Sequence, residues 1–145
     1  MLLGSKKADV FLEQYKLALA VANGNKAPTN RREFVQARES LYELPKTKQA
    51  ALRKKISPAF LACINSALFG HYIYCRKYKN GYIFHSLDDG RFYRAVALTS
   101  PIETLFDNYW LTKTALVPFD GQIVCDGLFA GGGLVGKNRI GELRD

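Results

Sequence analysis

Four groupings of residues in this chain have types and spacings that chemistry could use. Gly131-Gly132-Gly133-Leu134-Val135-Gly136-Lys137-Asn138 comes within one residue of the phosphate-cradling pattern G-x-x-x-x-G-K-[ST]. In that pattern backbone N–H groups and the lysine hold phosphates while a hydroxyl holds magnesium. Asn138 stands where the hydroxyl is needed, and only seven residues follow it. A nucleotide site needs a long helix next and a later acidic strand. The stretch therefore reads as a glycine-rich turn before a short terminal helix near Arg139.

The second grouping, His71 and Cys75 with His85 and Cys125, offers zinc-ligand chemistry. His71 and Cys75 are four apart on a predicted strand, which sets them about 13 Å apart on one face, too far for one ion. Neither a metal nor any other cofactor is expected. The third is Asp126, a carboxylate inside a predicted strand beside Gly127. Asp-Gly in mid-strand marks a bulge, or aims the acid into a cleft where it would work with a neighbouring His or Lys. His71 and His85 are the only imidazole bases, and neither lies in a recognisable catalytic setting. No catalytic set is assigned.

The fourth grouping interleaves cations with aromatics. Arg53, Lys54 and Lys55 crown a predicted helix, and Arg76, Lys77 and Lys79 surround Tyr78 at a predicted hairpin. Tyr72, Tyr74, Tyr82 and Phe84 alternate on the adjoining strands. Exposed, they would form a stacking platform for single-stranded RNA or DNA. Buried, they would be what a sheet needs to pack.

Composition bounds these options. The chain has 145 residues, of which 48% are hydrophobic, enough for one domain spanning residues 1–145 with a core of its own. Three cysteines leave at least one thiol unpaired, and no C-x-x-C spacing occurs, which suits a reducing compartment. Lys6, Lys7 and Asp9 interrupt any secretory signal, and the longest apolar stretch, Leu17 to Ala22, covers about a third of a bilayer. A cytoplasmic protein with no membrane contact is expected. The net charge of +8 is lopsided: twelve Lys/Arg oppose five Asp/Glu through residue 64, and nine oppose eight thereafter. The helical half therefore carries the field that would attract nucleic acid or an acidic partner.

The elements that would position these groups change period near residue 70. Asp9 to Ala22 is a helix with Val10, Phe11, Tyr15 and Ala18 on its stripe, stopped by Asn23-Gly24-Asn25. Asn30 and Glu33 form a capping box for a second helix carrying Phe34, Ala37, Leu41 and Leu44 and ending at Pro45. A basic helix spans Thr47 to Lys55. Ser57-Pro58 opens another, with Phe60, Leu61, Ile64, Ala67 and Leu68 on one face and Gly70 closing it. Then come strands: His71 to Tyr78, Tyr82 to Ser86, Arg91 to Leu98, Leu111 to Val117 and Gln122 to Phe129. Turns at Lys79-Asn80-Gly81, Asp88-Asp89-Gly90 and Phe119-Asp120-Gly121 join them, and a short helix from Pro101 to Phe106 interrupts them. Helices first (1–69) and strands after (70–145) predict an α+β fold: amino-terminal helices packed on an antiparallel meander or small half-barrel of about five strands.

Pro118-Phe119-Asp120-Gly121-Gln122-Ile123-Val124-Cys125-Asp126-Gly127-Leu128-Phe129 resembles a carboxyl-terminal hairpin, P-[FY]-x-G-x-I-x-x-D-G-L, of a group of uncharacterised bacterial proteins. The resemblance reaches upstream to about Ser57. Cys125 replaces the group's tyrosine and Gln122 its basic residue. The resemblance implies this architecture and a bacterial cytosol, and brings no activity or site residue with it. The expected function is a non-catalytic interaction or regulatory module, with a protein partner or self-association as its chemistry. Single-stranded nucleic-acid binding and a small enzyme using Asp126 are the alternatives.

Overall fold

A computed structural model describes residues 2–134 of the chain. Helix α1 spans Ser5–Ala22 and buries Ala8, Phe11, Tyr15, Ala18 and Leu19, a stripe at three- and four-residue steps. It begins four residues before the expected start, because Ala8 belongs to that stripe. Val10, expected on it, is exposed instead. Gly24 and Asn25 adopt positive φ and end the helix as anticipated.

Helix α2 spans Arg31–Glu43 and carries the predicted capping box. Asn30 accepts from the Glu33 N–H at 2.9 Å, and the Glu33 carboxylate accepts from the side chains of Asn30 and Thr29. The basic helix is split into a 3-10 turn, Lys46–Lys48, and α3, Ala50–Lys55. Helix α4, Pro58–Asn65, starts under a Ser57 cap on the Phe60 N–H.

The sheet comprises β1 (Leu68–Tyr78), β2 (Gly81–Ser86), β3 (Phe92–Ala95), β4 (Trp110–Phe119), β5 (Gln122–Cys125) and β6 (Ala130–Leu134). The order is β3-β2-β1-β4-β5, all antiparallel, so the α+β half-barrel is the observed fold. Between β3 and β4 lies a 3-10 turn, Ile102–Thr104, shorter than the helix anticipated there.

Two glycine readings are corrected. Gly70 is not a helix stop but a residue of β1, paired with Thr114. A Cβ there would overlap the Asp88 carboxylate, which accepts from the His71 N–H, so glycine is what lets the β2–β3 turn close on β1. Gly131 to Gly133 form no turn; they lie in β6, paired with β4, where Gly132 sits against the Trp110 indole with no room for a side chain. The remainder of the lysine loop, with Asn138 and the helix near Arg139, falls outside the described residues.

The sheet is covered on both faces. Ala115, Val117 and Val124 pack with Phe11, Tyr15, Leu41, Phe60 and Ile64 of the helices. The opposite face contributes Tyr72, Tyr74, Tyr82, Phe84, Ala95, Leu116 and Cys125, from all five strands of the main path, to one cluster around Ile102 and Phe129. Only a curled sheet brings one face of five strands together in this way. Just beyond β3, Val96 donates to the Ile123 C=O at 2.8 Å and accepts from the Cys125 N–H at 2.9 Å, joining the two edge strands at one point. No described helix is long and apolar enough to cross a membrane.

Candidate functional site

Strands β5 and β6 run along the same edge of β4 as one strand interrupted. Cys125 pairs with Leu116 and Ala130 with Lys113, so four residues, Asp126 to Phe129, oppose only two, Thr114 and Ala115. Asp126-Gly127 is therefore a wide bulge, with Gly127 at φ +79°. It turns the Asp126 carboxylate off the sheet and under the helices.

There the carboxylate meets Arg38 of α2. The guanidinium Nη1 donates to both carboxylate oxygens, at 3.0 and 2.8 Å, and both side chains are 0% exposed. The Tyr15 hydroxyl donates at 2.8 Å, the Thr114 hydroxyl at 3.1 Å and the Leu128 N–H at 2.9 Å. Arg38 Nη1 also donates to the Leu128 C=O at 2.7 Å, and the single Thr114 hydroxyl proton is shared between Asp126 and that same oxygen, 2.9 Å away. Tyr42 shares a hydrogen bond with Tyr15 and stacks on Phe69, over which the Arg38 guanidinium lies 4.7 Å from the ring centre. The cluster binds two helices, α1 and α2, strand β4 and the bulge to one another.

Its electrostatics follow from the missing water. Burial, then the Asp126 charge, raises the Tyr15 hydroxyl well above its ordinary pKa, and the same two causes raise Tyr42. Burial alone would lower Arg38, but the facing carboxylate outweighs it and holds the guanidinium charged. Burial, with Asp126 adding to it, pushes the Cys125 thiol up to about 12, and burial pushes Cys75 up to about 11. Neither thiol is poised for nucleophilic attack near neutral pH.

Arg38 is the residue the sequence reading missed. It stands four residues after Phe34 and three before Leu41, on the apolar stripe of α2, and a cation in that place signals a buried partner.

The fourth grouping is corrected in its aromatic part. Tyr72, Tyr74, Tyr82 and Phe84 lie inside the curl, each no more than 2% exposed, so they offer no ring to a base. Tyr72 donates to the Leu68 C=O and Tyr82 to Glu103, whereas the buried Tyr74 hydroxyl has no hydrogen-bond partner among the described residues. The cations are exposed but dispersed. Arg53, Lys54 and Lys55 form the end of α3, which packs on α1 and α4, whereas Arg76, Lys77 and Lys79 sit where β1 turns into β2. Lys77 pairs with Glu103 at 3.5 Å. Among the described residues no group of three His, Cys, Asp or Glu side chains is arranged to hold a metal ion.

Concave surfaces also lie among the described residues, one of about 380 Å³ between Leu17, Ala20 and Val21 of α1 and Ala51, Lys54 and Lys55 of α3. A cavity of about 380 Å³ lies beside the bulge, lined by Leu12 of α1, Arg31 of α2, Ser100, Leu105 and Phe106 of the β3–β4 connection, and Gly127 and Asp126 of the bulge, the Asp126 carboxylate staying turned away under the helices. A larger, open cleft of about 850 Å³ separates β3 from β5 and is lined by Phe92, Arg94, Pro118, Phe119, Gln122 and Ile123.

No family model matches this chain, and neither the curated proteins nor the solved structures yield a match.

Proposed function

We propose that this chain is a non-catalytic interaction module, working in a reducing compartment such as the bacterial cytosol. One observation carries the reading: Asp126, the strongest catalytic candidate in the sequence, is enclosed and fully occupied. Its two oxygens accept from Arg38, Tyr15, Thr114 and Leu128, so no lone pair faces a substrate. A general base must reach the proton it removes. This one holds a bulge in place instead. The open surfaces are a strand-edged cleft and scattered cations, which suit recognition rather than bond making.

The test is Asp126→Asn, which keeps the shape of the side chain. Chromogenic esters, phosphomonoesters and peptides are expected to show no turnover with either protein, and the variant is expected to differ only in a lower Tm. Turnover by the wild type that the folded variant lacks would falsify the proposal.

A second reading, single-stranded nucleic acid, is favoured by one exposed feature. Tyr78 is partly open, with the Arg76 guanidinium 4.8 Å and the Lys79 ammonium 5.4 Å from its ring centre. Binding of poly(U) or poly(dT) through this patch should weaken steeply with salt. Replacing Arg76 and Lys79 together by alanine should lower the log–log salt slope by about 1.4, at ~0.7 per phosphate contact on a single strand. Absence of binding by fluorescence anisotropy at low salt would remove this reading.

A further inference from the structure

We infer that the cleft between β3 and β5 takes up an extended, acidic–apolar peptide of a partner protein as an added strand. The inference rests on the reading of the chain as an interaction module and names its partner chemistry.

The backbone of the two edge strands carries it. Ser86 donates its N–H to the Arg91 C=O at 2.8 Å, which makes that pair a hydrogen-bonded one in the β2–β3 ladder. Hydrogen-bonded pairs alternate with pairs whose backbone groups turn outward. In the observed register, Phe84 with Tyr93 is then bonded, while Phe92 and Arg94 turn N–H and C=O away from β2. Val96, next in the same alternation, confirms the direction, because its N–H and C=O both reach β5.

The other wall follows in the same way. Asp126 donates to the Ala115 C=O, so Val124 and Gln122 bond to β4 while Cys125 and Ile123 face β3. The Ile123 C=O is taken by Val96, and its N–H points into the cleft. Beyond the Val96 contact, the N–H and C=O of Phe92, those of Arg94 and the N–H of Ile123 therefore line a gap that no strand among the described residues fills. An extended peptide is the ligand whose own backbone matches such a row.

Side chains select its character. Phe92 is 51% exposed, and with Val96, Pro118, Phe119 and Ile123 it gives the cleft apolar walls. Arg94 has no carboxylate within ion-pair distance among the described residues, whereas Asp120 at the cleft's far side is already neutralised by Lys7. The local excess is positive, and so is the whole chain at +8. A second copy docking by the same edge would bring Arg91 and Arg94 toward their equivalents. Charge therefore favours an acidic segment of another protein over self-pairing.

The probe is a fluorescein-labelled peptide, Val-Glu-Val-Glu-Val-Glu, titrated into the full chain by anisotropy, with amide NMR to place it. Expected are saturable binding, amide shifts and slowed hydrogen exchange at Phe92, Arg94 and Ile123, and a loss of about tenfold in affinity for Arg94→Glu. The same peptide N-methylated at alternate residues should not bind, and this control leaves the protein untouched. Val-Lys-Val-Lys-Val-Lys should bind at least tenfold more weakly. Any of three results overturns the inference: no binding up to millimolar peptide, binding indifferent to N-methylation, or shifts confined to residues outside the cleft. Dimerisation seen by light scattering, with amide shifts at Phe92 and Arg94 that disappear on dilution, would overturn it in favour of a second copy. A silent cleft with no Asp126-dependent turnover defeats the peptide alone, whereas Asp126-dependent turnover defeats the interaction module itself.

Discussion

Replacing Arg38 by alanine should destabilise the protein by about 3–5 kcal/mol, the usual cost of leaving one charge of a buried pair without its partner. Against a typical total of roughly 5–15 kcal/mol, that is enough to unfold a marginal domain. The cause is specific. Asp126 would keep its charge in a site that is 0% exposed, and the Leu128 C=O would lose its shortest donor. Urea unfolding followed by circular dichroism measures the change. A simple ion pair can often be replaced by apolar residues without loss. Here the double variant Arg38→Met/Asp126→Leu should recover only part of the deficit. The Leu128 C=O would keep Thr114 and the Tyr15 hydroxyl would keep Tyr42, but the Leu128 N–H would still lose the carboxylate that now satisfies it, at a cost of about 1–3 kcal/mol. Stability within about 1 kcal/mol of wild type for Arg38→Ala would show that water reaches the pair, and the bulge would need another explanation.

Raising the pH should unfold the protein abruptly rather than titrate it. Burial raises the hydroxyls of Tyr15, Tyr42, Tyr72, Tyr74 and Tyr82 above their ordinary value, and the thiols of Cys75 and Cys125 with them. For a group whose folded pKa is raised, the stabilising contribution is complete below the unfolded pKa. It is lost as pH climbs from that value through the folded one. The window opens near pH ~9 for the thiols and ~10 for the phenols, and the losses add. The part of the tyrosinate absorbance at 295 nm that comes from these five side chains should therefore rise in one step, together with loss of near-ultraviolet dichroism, at a pH above 10. Smooth ionisation of all eight tyrosines near pH 10, with the dichroism intact, would contradict the buried placement of the five.

What could be read from the chain was whatever a few neighbouring residues decide. The Asn30 and Ser57 caps, the left-handed stop at Gly24-Asn25 and the tight turn at Lys79-Asn80 are local hydrogen bonds and local backbone preferences, and they stand where expected. Gly70 and Gly132 misled for the opposite reason. Glycine marks equally a chain end and a close approach, and the approaching group in each case, Asp88 or Trp110, comes from a distant segment. Arg38 escaped notice because its partner lies 88 residues away.

The sequence by itself determined that helices precede an antiparallel sheet, since period and turn chemistry operate over three to five residues. Only the tertiary structure decided which face of that sheet meets solvent. Strict alternation of Tyr72, Tyr74, Tyr82 and Phe84 says that the sheet has two faces, and it says nothing of curling. Once the edges meet at Val96, the face that would otherwise be open becomes an interior, and the residues most suited to touching a ligand become core. Enclosure depends on where strand ends arrive in space, and no short stretch of chain encodes that.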